Sequence, residues 1–141
     1  IKCRVSGLKP DVVVLVCSVR ALKVHSGIYK MIPGKPLEKR ITKENLEATE
    51  AGCTNLEKQI ENARLYGLPC VVAINRFATD TDKEIDAVRK KALASGAFDC
   101  VVNDCYRYGS KGAQGLAVAV IEACRGKSKF KFLYSPDSSI G

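Results

Sequence analysis

Residues 69–81 read PCVVAINRFATDT and decide the expected fold, because an unbroken apolar run passes directly into a polar tip. A short continuous apolar run is typical of a strand that is covered on both faces of a parallel sheet. Similar runs occur at 11–19 (DVVVLVCSV) and 98–103 (FDCVVN), and we predict a strand at each. Residues 130–135 (FKFLYS) alternate aromatic and lysine side chains, which predicts a fourth, half-exposed edge strand.

Three segments carry the three- and four-residue spacing of apolar side chains that is typical of amphipathic helices: 42–67, 82–95 and 114–126. In the first segment, Thr42 is a candidate cap at the start and Gly67 marks the end. The order β-α-β-α-β-α-β predicts an α/β fold, with a mostly parallel sheet, helices on both faces and right-handed crossovers. We predict a single domain over residues 1–141, with a long surface loop at 25–40.

Composition and charge exclude several classes of partner. The 141 residues have a formal net charge of +8, but the basic clusters at 39–40 and 83–91 stand among acidic residues and only the tail 125–131 is a basic cluster without them, so we expect no nucleic-acid partner. No apolar run approaches the ~20 residues that cross a bilayer, so we expect no membrane partner either. The seven cysteines form no CxxC pair and the chain has one histidine, which argues against a metal site and a disulfide framework and for a reducing compartment.

The polar tips that follow the first three strands are expected to meet, because open parallel sheets bind ligands beyond the carboxyl ends of their strands. The tips read SVRALKVHSG (18–27), NRFATDT (75–81) and NDCYRYGSKG (103–112). All three are polar and two are basic, which favours an anionic, partly aromatic ligand. Helix capping is a competing explanation for Thr79 and Thr81, but it explains neither Phe77 nor two basic tips at one edge.

Two weaker hypotheses about the function of these polar tips stay open. Asn75, followed by Asp80 and then a helix, resembles the base-recognition segment of P-loop GTPases. The phosphate-binding motif G-x-x-x-x-G-K-[ST] occurs nowhere in the 141 residues, so a small GTPase-like regulator is the less favoured alternative. His25 is a candidate general base, because histidine is the side chain that most often serves in that role; packing of the loop, or a contact at the ligand edge, is the competing role.

Four strings, taken together, closely resemble an internal stretch of the formate–tetrahydrofolate ligase family. In order they are IKCRVSGLKPDVVVLVCSVRALKVHSG (1–27), NLEKQIENARLYGLPCVVAINRFATDT (55–81), SGAFDCVV (95–102) and FKFLYS (130–135). The resemblance covers nearly all of the chain and is strongest to the synthetase part of eukaryotic C1-tetrahydrofolate synthases. We therefore expect an internal fragment of the nucleotide-binding domain of such an enzyme.

The resemblance implies an ATP-dependent enzyme that joins formate to N10 of tetrahydrofolate through formyl phosphate, giving 10-formyltetrahydrofolate for one-carbon metabolism. It implies a P-loop NTPase-like core that lacks the phosphate loop in this chain, so that ATP and Mg²⁺ are bound mainly by residues elsewhere. It also implies a cytoplasmic or mitochondrial protein that forms a homo-oligomer. The chain 1–141 by itself is then expected to be inactive.

The resemblance further implies roles for individual residues. The ring of Phe77 is expected to lie against a flat ring of folate or nucleotide, with Asn75 and Asp80 as neighbouring polar contacts. Arg20 and Lys23 are expected to supply positive charge that favours phosphate or carboxylate. We assign no catalytic residue and no metal ligand.

The chain departs from the family pattern in three places. Ser26 stands where a glycine is expected, and the loops 28–40 and 103–112 differ. Glycines in such loops allow a positive φ or a close approach of backbone to ligand, so we expect these changes to reduce catalysis. A diverged, non-catalytic paralogue that binds folate or serves oligomerisation is the main alternative.

Overall fold

The computed structural model describes residues 2–30, 32–36, 38–126 and 129–135 and has an α/β fold. Its three strands form one parallel sheet in the order β1-β2-β3: β1 Val13–Cys17, β2 Cys70–Asn75 and β3 Asp99–Asn103. The described residues also form six α-helices: α1 Lys2–Ser6, α2 Val19–His25, α3 Leu46–Leu65, α4 Asp82–Ala94, α5 Cys105–Tyr108 and α6 Gln114–Cys124. Short 3-10 helices lie at Lys39–Thr42 and Gly109–Ala113.

The predicted parallel α/β sheet and the three long helices α3, α4 and α6 are confirmed. α3 begins later than predicted, because the side chain of Asn45, and not that of Thr42, caps it by accepting a hydrogen bond from Ala48 N at 2.9 Å. Gly67 follows the helix with φ of +75°, the left-handed conformation that ends many helices. The short helices α2 and α5 lie in segments where we predicted polar tips only, because they are too short to show a periodic pattern.

The main core lies on one face of the sheet, beneath α2, α3 and α4. It is formed by apolar side chains that are almost fully removed from solvent: Val19, Leu22, Cys53, Leu56, Ile60, Ala63, Cys70, Val72, Ile74, Ile85, Val88, Ala92 and Cys100. The opposite face is covered by α6, where Val71 of β2 packs against Ala119 and Ala123. The sheet therefore has helices on both faces, as predicted.

Strand β1 is not buried on both faces, so that prediction is wrong. The side chains of Val14 and Val16 are 39% and 57% exposed, whereas those of Val13, Leu15 and Cys17 pack against the main core. Because every residue of β1 is apolar, its sequence does not distinguish a half-exposed strand from a fully buried one. In the described residues α6 packs on β2 and β3 and leaves the outer face of β1 open.

The predicted edge strand at 130–135 is also wrong, since none of residues 129–135 is in a strand. This segment packs beside the end of α3, where Lys131 N donates to Tyr66 O at 2.9 Å and the Phe130 ring stacks on Tyr66 with centroids 6.4 Å apart. The guanidinium of Arg4 in α1 lies 4.3 Å from the centroid of the Phe132 ring. The aromatic residues of the segment therefore serve contacts with α1 and α3, not a ladder with the sheet.

Some of the predicted segments are described only in part. Residues 31 and 37 of the loop 25–40, and residues 127 and 128 of the basic tail 125–131, lie outside the described residues. In the described ranges, no helix is long and apolar enough to cross a membrane.

The seven cysteines are free, and three of them, Cys53, Cys70 and Cys100, are buried. Loss of hydration on burial raises the pKa of Cys17 and of Cys100 to about 12, and that of Cys53 to about 11. These thiols are therefore neutral at pH 7 and pack as small apolar groups, as expected for buried cysteines.

Candidate functional site

A cleft of about 470 Å³ opens at the carboxyl end of the sheet. Its lining comes from the segments that follow all three strands: Arg20, Asn75, Arg76, Phe77, Ala78, Asn103, Cys105, Tyr106 and Arg107. The three polar tips therefore meet at one edge, as the topology of a parallel sheet predicts.

The turn after β2 presents Phe77 to the cleft. The carboxylate Oδ2 of Asp80 accepts a hydrogen bond from Phe77 N at 2.9 Å, and Asp80 N donates to Phe77 O at 3.0 Å. These two bonds close the turn and leave the Phe77 side chain 42% exposed at the cleft wall. Asp80 is itself only 7% exposed and does not line the cleft, so its carboxylate shapes the turn.

Arg20, at the start of α2, lies against this ring. The guanidinium carbon of Arg20 is 4.6 Å from the centroid of Phe77, within the range of a cation–π contact. Its Nη2 donates to Thr79 Oγ1 at 3.1 Å. Its Nε is buried and has no hydrogen-bond partner among the described residues, so the group retains an unused donor beside the cleft.

The two threonines of the turn have different partners. Thr81 caps α4, since its Oγ1 accepts a hydrogen bond from Glu84 N at 3.3 Å. Thr79 caps no helix; its hydroxyl receives the hydrogen bond from Arg20. Helix capping, the competing explanation for the polar tip, is therefore correct for Thr81 and not for Thr79.

A pair of amides joins the tips of β2 and β3. Asn103 Nδ2 donates to Asn75 Oδ1 at 2.9 Å, and Arg76 N donates to Asn103 O at 3.2 Å. Asn75 lines the cleft beside Phe77, where it was predicted. Asn75 and Asn103 are the last paired residues of the β2–β3 ladder, so the bond between their side chains reinforces the ladder where it ends and holds the two tips side by side.

Lys23 does not reach the cleft, although it follows Arg20 by one helical turn. It is 2% exposed, and its Nζ lies 2.7 Å from Oε2 of Glu84, whose side chain is fully buried. Its charge is therefore neutralised inside the protein. Sequence reasoning missed this because the acidic partner comes from α4, far along the chain.

Six residues that we did not single out complete the cleft: Arg76, Ala78, Asn103, Cys105, Tyr106 and Arg107. Tyr106 is 97% exposed and adds a second aromatic side chain to the lining. Arg76 forms an ion pair with Asp82 at 2.9 Å, whereas Arg107 lies over the Tyr108 ring. The basic, aromatic character of residues 103–112 was the available signal, but the pattern did not show which of them α5 would present.

Ser26, which stands where a glycine is expected, does not adopt a positive φ. Its φ is −64°, and the left-handed conformation falls on Gly27, with φ of +77°. The Ser26 hydroxyl donates to Lys23 O at 2.5 Å and accepts from Ile28 N at 3.2 Å. His25, the last residue of α2, is exposed and does not line the cleft.

The site thus combines two aromatic rings, three arginines and an amide pair in one open cavity at the edge of a parallel sheet. Across the described ranges, no three His, Cys, Asp or Glu side chains are grouped so that they hold a metal ion. This arrangement defines the class of the domain: an α/β domain whose cleft suits a small, flat, anionic molecule.

The chain belongs to the formate–tetrahydrofolate ligase family, whose model matches residues 1–141. It is 49% identical over 140 residues to a formate–tetrahydrofolate ligase of Desulforamulus reducens. It is 52% identical over 140 residues to a cytoplasmic C-1-tetrahydrofolate synthase of Saccharomyces cerevisiae, and 54% identical over 136 residues to a mitochondrial monofunctional C1-tetrahydrofolate synthase of Bos taurus. These matches confirm the resemblance derived from the sequence.

The alignments cover 99%, 99% and 95% of this chain but only 25%, 15% and 14% of the three relatives, respectively. The chain therefore spans a quarter or less of the length of the proteins it matches. Both cytoplasmic and mitochondrial proteins are among them.

Proposed function

We propose that residues 1–141 belong to an enzyme that joins formate to N10 of tetrahydrofolate, with cleavage of ATP, to give 10-formyltetrahydrofolate for one-carbon metabolism. The observation that carries this proposal is the family match along the whole chain, which includes every residue of the cleft. The reaction proceeds through formyl phosphate, as the family resemblance implies. The protein acts as a homo-oligomer in the cytoplasm or the mitochondrion.

The cleft receives the flat ring of tetrahydrofolate. Phe77 supplies the wall on which the ring stacks, a contact that contributes about 0.5–1.5 kcal/mol beyond its buried area. Tyr106 is the second aromatic side chain of the lining, and Asn75 supplies a polar edge. The positive charges of Arg20 and Arg107, which both line the cleft, favour a ligand that carries a carboxylate or phosphate. The ring of a nucleotide is the other candidate for the same wall.

ATP and Mg²⁺ are held mainly by residues outside this chain. A triphosphate–Mg²⁺ site needs backbone N–H groups of a glycine-rich loop, with a lysine and a hydroxyl, and no such motif occurs in residues 1–141. The described residues offer no cluster of metal ligands either. We infer a P-loop NTPase-like core of which this chain contributes the ring-binding edge, so residues 1–141 alone bind substrates weakly and do not catalyse.

A non-catalytic paralogue that binds folate is the second candidate. It is favoured by one observation: the departures from the family pattern at 103–112 coincide with the cleft residues Asn103, Tyr106 and Arg107. The serine at position 26 does not support the non-catalytic candidate, because its φ of −64° is a conformation that does not require glycine.

A substrate-omission assay on the full-length protein separates the two candidates. An active ligase releases ADP only when ATP, formate and tetrahydrofolate are all present, and mass spectrometry detects one 10-formyltetrahydrofolate for each ADP. Tetrahydrofolate binding without turnover assigns the protein to the non-catalytic class. If the protein shows no tetrahydrofolate binding and no turnover, both candidates are contradicted.

A further inference from the structure

A buried ion pair joins the helices that carry the two sides of the cleft wall. Lys23 lies on α2, one turn after Arg20, and Glu84 lies on α4, which begins directly after the turn that presents Phe77. The two side chains are 2% and 0% exposed, and Lys23 Nζ is 2.7 Å from Glu84 Oε2. Neither residue lines the cleft.

The charges of this pair are fully partnered. Lys23 Nζ also donates to Ile41 O at 3.1 Å and to Lys43 O at 2.8 Å, so all three of its protons are used. Glu84 Oε1 accepts from Asn45 N at 3.3 Å, the residue that caps α3. The pair therefore connects α2 and α4 with the start of α3. Buried pairs of this kind contribute little net stability over apolar side chains of similar size, so they favour a role in specifying an arrangement.

Helix α2 makes two contacts, one helical turn apart, with α4 and the turn that leads into it. In the core, Lys23 of α2 meets Glu84 of α4. At the cleft, Arg20 of α2 donates to Thr79 in the turn that leads into α4. Thr81 ties that turn to α4 by capping Glu84 N, so the position of the turn follows the position of the helix.

We propose that Lys23 and Glu84 are positioning residues for ligand binding in the cleft. By fixing α2 against α4, the pair holds the Arg20 guanidinium over the Phe77 ring, and with it the geometry of the wall on which the ligand ring stacks. The proposal rests on the proposed function, because its readout is the binding of tetrahydrofolate.

The direct test removes both charges in the full-length protein and keeps the volume of the side chains. In the double variant Lys23→Met/Glu84→Gln no buried charge is left without a partner, so we expect a cooperatively folded protein. The KM for tetrahydrofolate rises about 5- to 10-fold while kcat changes less than about twofold, as expected for misalignment of a binding wall. The exposed pair Lys58–Glu61, 2.8 Å apart, provides the control, and Lys58→Ala/Glu61→Ala leaves KM unchanged.

A second comparison separates positioning from general stability. In an Arg20→Ala background the double substitution adds no further increase in KM, because the pair acts through Arg20; additive effects would overturn the proposal. If the double variant does not fold, Glu84→Asp replaces it: both charges stay, the carboxylate withdraws by one methylene, and KM rises about two- to threefold. An unchanged KM in a folded Glu84→Asp or double variant also overturns the proposal.

Failure of the proposed function of the cleft can be distinguished from failure of the positioning role. If Arg20→Ala and Phe77→Ala leave tetrahydrofolate binding unchanged, the proposed function of the cleft fails. If those variants weaken binding and the Lys23–Glu84 variants do not, the cleft stands and only the positioning role fails.

Discussion

The guanidinium carbon of Arg20 lies 4.6 Å from the centroid of the Phe77 ring, so a cation and an aromatic side chain from two different strand tips form one continuous wall. Arg20 follows β1 and Phe77 follows β2, and the parallel pairing of these strands brings the two tips together. Contacts within the protein hold this wall together: the cation–π contact and the hydrogen bond from Arg20 Nη2 to Thr79 Oγ1. An ordered wall lowers the conformational entropy that the ligand must remove.

Replacing Arg20 with an uncharged residue is expected to weaken the binding of an anionic ligand. Arg20→Ala removes a guanidinium that lines the cleft, and we expect the KM for tetrahydrofolate to rise about tenfold, equivalent to ~1.4 kcal/mol. Arg20→Lys restores only part of the loss, because an ammonium lacks the planar face that stacks on a ring. Arg40→Ala, which removes a side chain 73% exposed in a surface pair with Glu38, is the control. Equal KM values for Arg20→Ala and Arg40→Ala would contradict the role of Arg20.

Gly52 makes the close crossing of α2 and α3 possible. A Cβ at this position would collide with the carbonyl group of Leu22, which belongs to the backbone and has no freedom to move aside. We expect Gly52→Ala to lower the free energy of unfolding by about 1–3 kcal/mol, measured by denaturant titration. Gly115→Ala is the matched control in α6, where an added Cβ meets nothing within 4 Å and alanine is favoured by about 1 kcal/mol. Equal stability of the two variants would show that the helices separate easily.

Restoring the family's glycine at position 26 is expected to bring no gain. Ser26 has φ of −64° and its hydroxyl takes part in two hydrogen bonds, with Lys23 O and Ile28 N. Ser26→Gly should leave kcat/KM within twofold of the wild type and lower the unfolding free energy by about 1 kcal/mol. Kinetics that improve several-fold in Ser26→Gly would mean that this exchange does impair the enzyme.

The reactivity of the cysteines should follow their burial. At pH 8 a thiol reagent is expected to modify the exposed Cys105 and Cys124 within minutes and to leave Cys53 and Cys100 unmodified until the protein unfolds, as read by peptide mass spectrometry. Rapid modification of Cys100 in the folded protein would contradict the buried core.

The raised thiol pKa values also predict a pH dependence of stability. Burial raises the pKa of Cys100 from its ordinary value of 9.0 to about 12 in the folded protein, so the folded state keeps a proton that the unfolded state releases. This contribution to stability is complete below about pH 9 and is lost as the pH rises from about 9 towards 12. Denaturant midpoints measured at pH 8 and pH 10 should fall less in Cys100→Ala than in the wild type. An identical decrease in both proteins would contradict the assignment.

The parts of the fold that local patterns determine were predictable from the sequence. The apolar runs that end at Asn75 and Asn103 predicted the central strand β2 and its neighbour β3, and parallel topology then placed Arg20, Asn75 and Phe77 at one edge. These inferences hold because side-chain periodicity is a local property, and because helical crossovers between successive strands give parallel pairing.

The features that were missed depend on contacts distant in sequence. Lys23 has no acidic neighbour along the chain and still meets Glu84 in the core. The exposure of Val16 depends on where α6 lies, and the sequence of an all-apolar strand does not show which of its faces a helix covers. Phe130 and Phe132 alternate like a strand, but they pack on Tyr66 and Arg4, respectively.

The most direct test of the account is the affinity of the full-length protein for tetrahydrofolate when Phe77 is replaced. Phe77 and Phe98 are 42% and 49% exposed, and Phe98 lies just before β3 at the opposite end of the sheet, so Phe98→Ala is the matched control. By calorimetry, we expect Phe77→Ala to raise the Kd for tetrahydrofolate about tenfold, equivalent to ~1.4 kcal/mol, with Tm changed by less than about 3 °C.

Phe98→Ala should leave that Kd at the wild-type value. A folded Phe77→Ala protein that binds tetrahydrofolate as tightly as the wild type would contradict the account. A loss of ATP affinity alone would assign the same wall to the nucleotide ring.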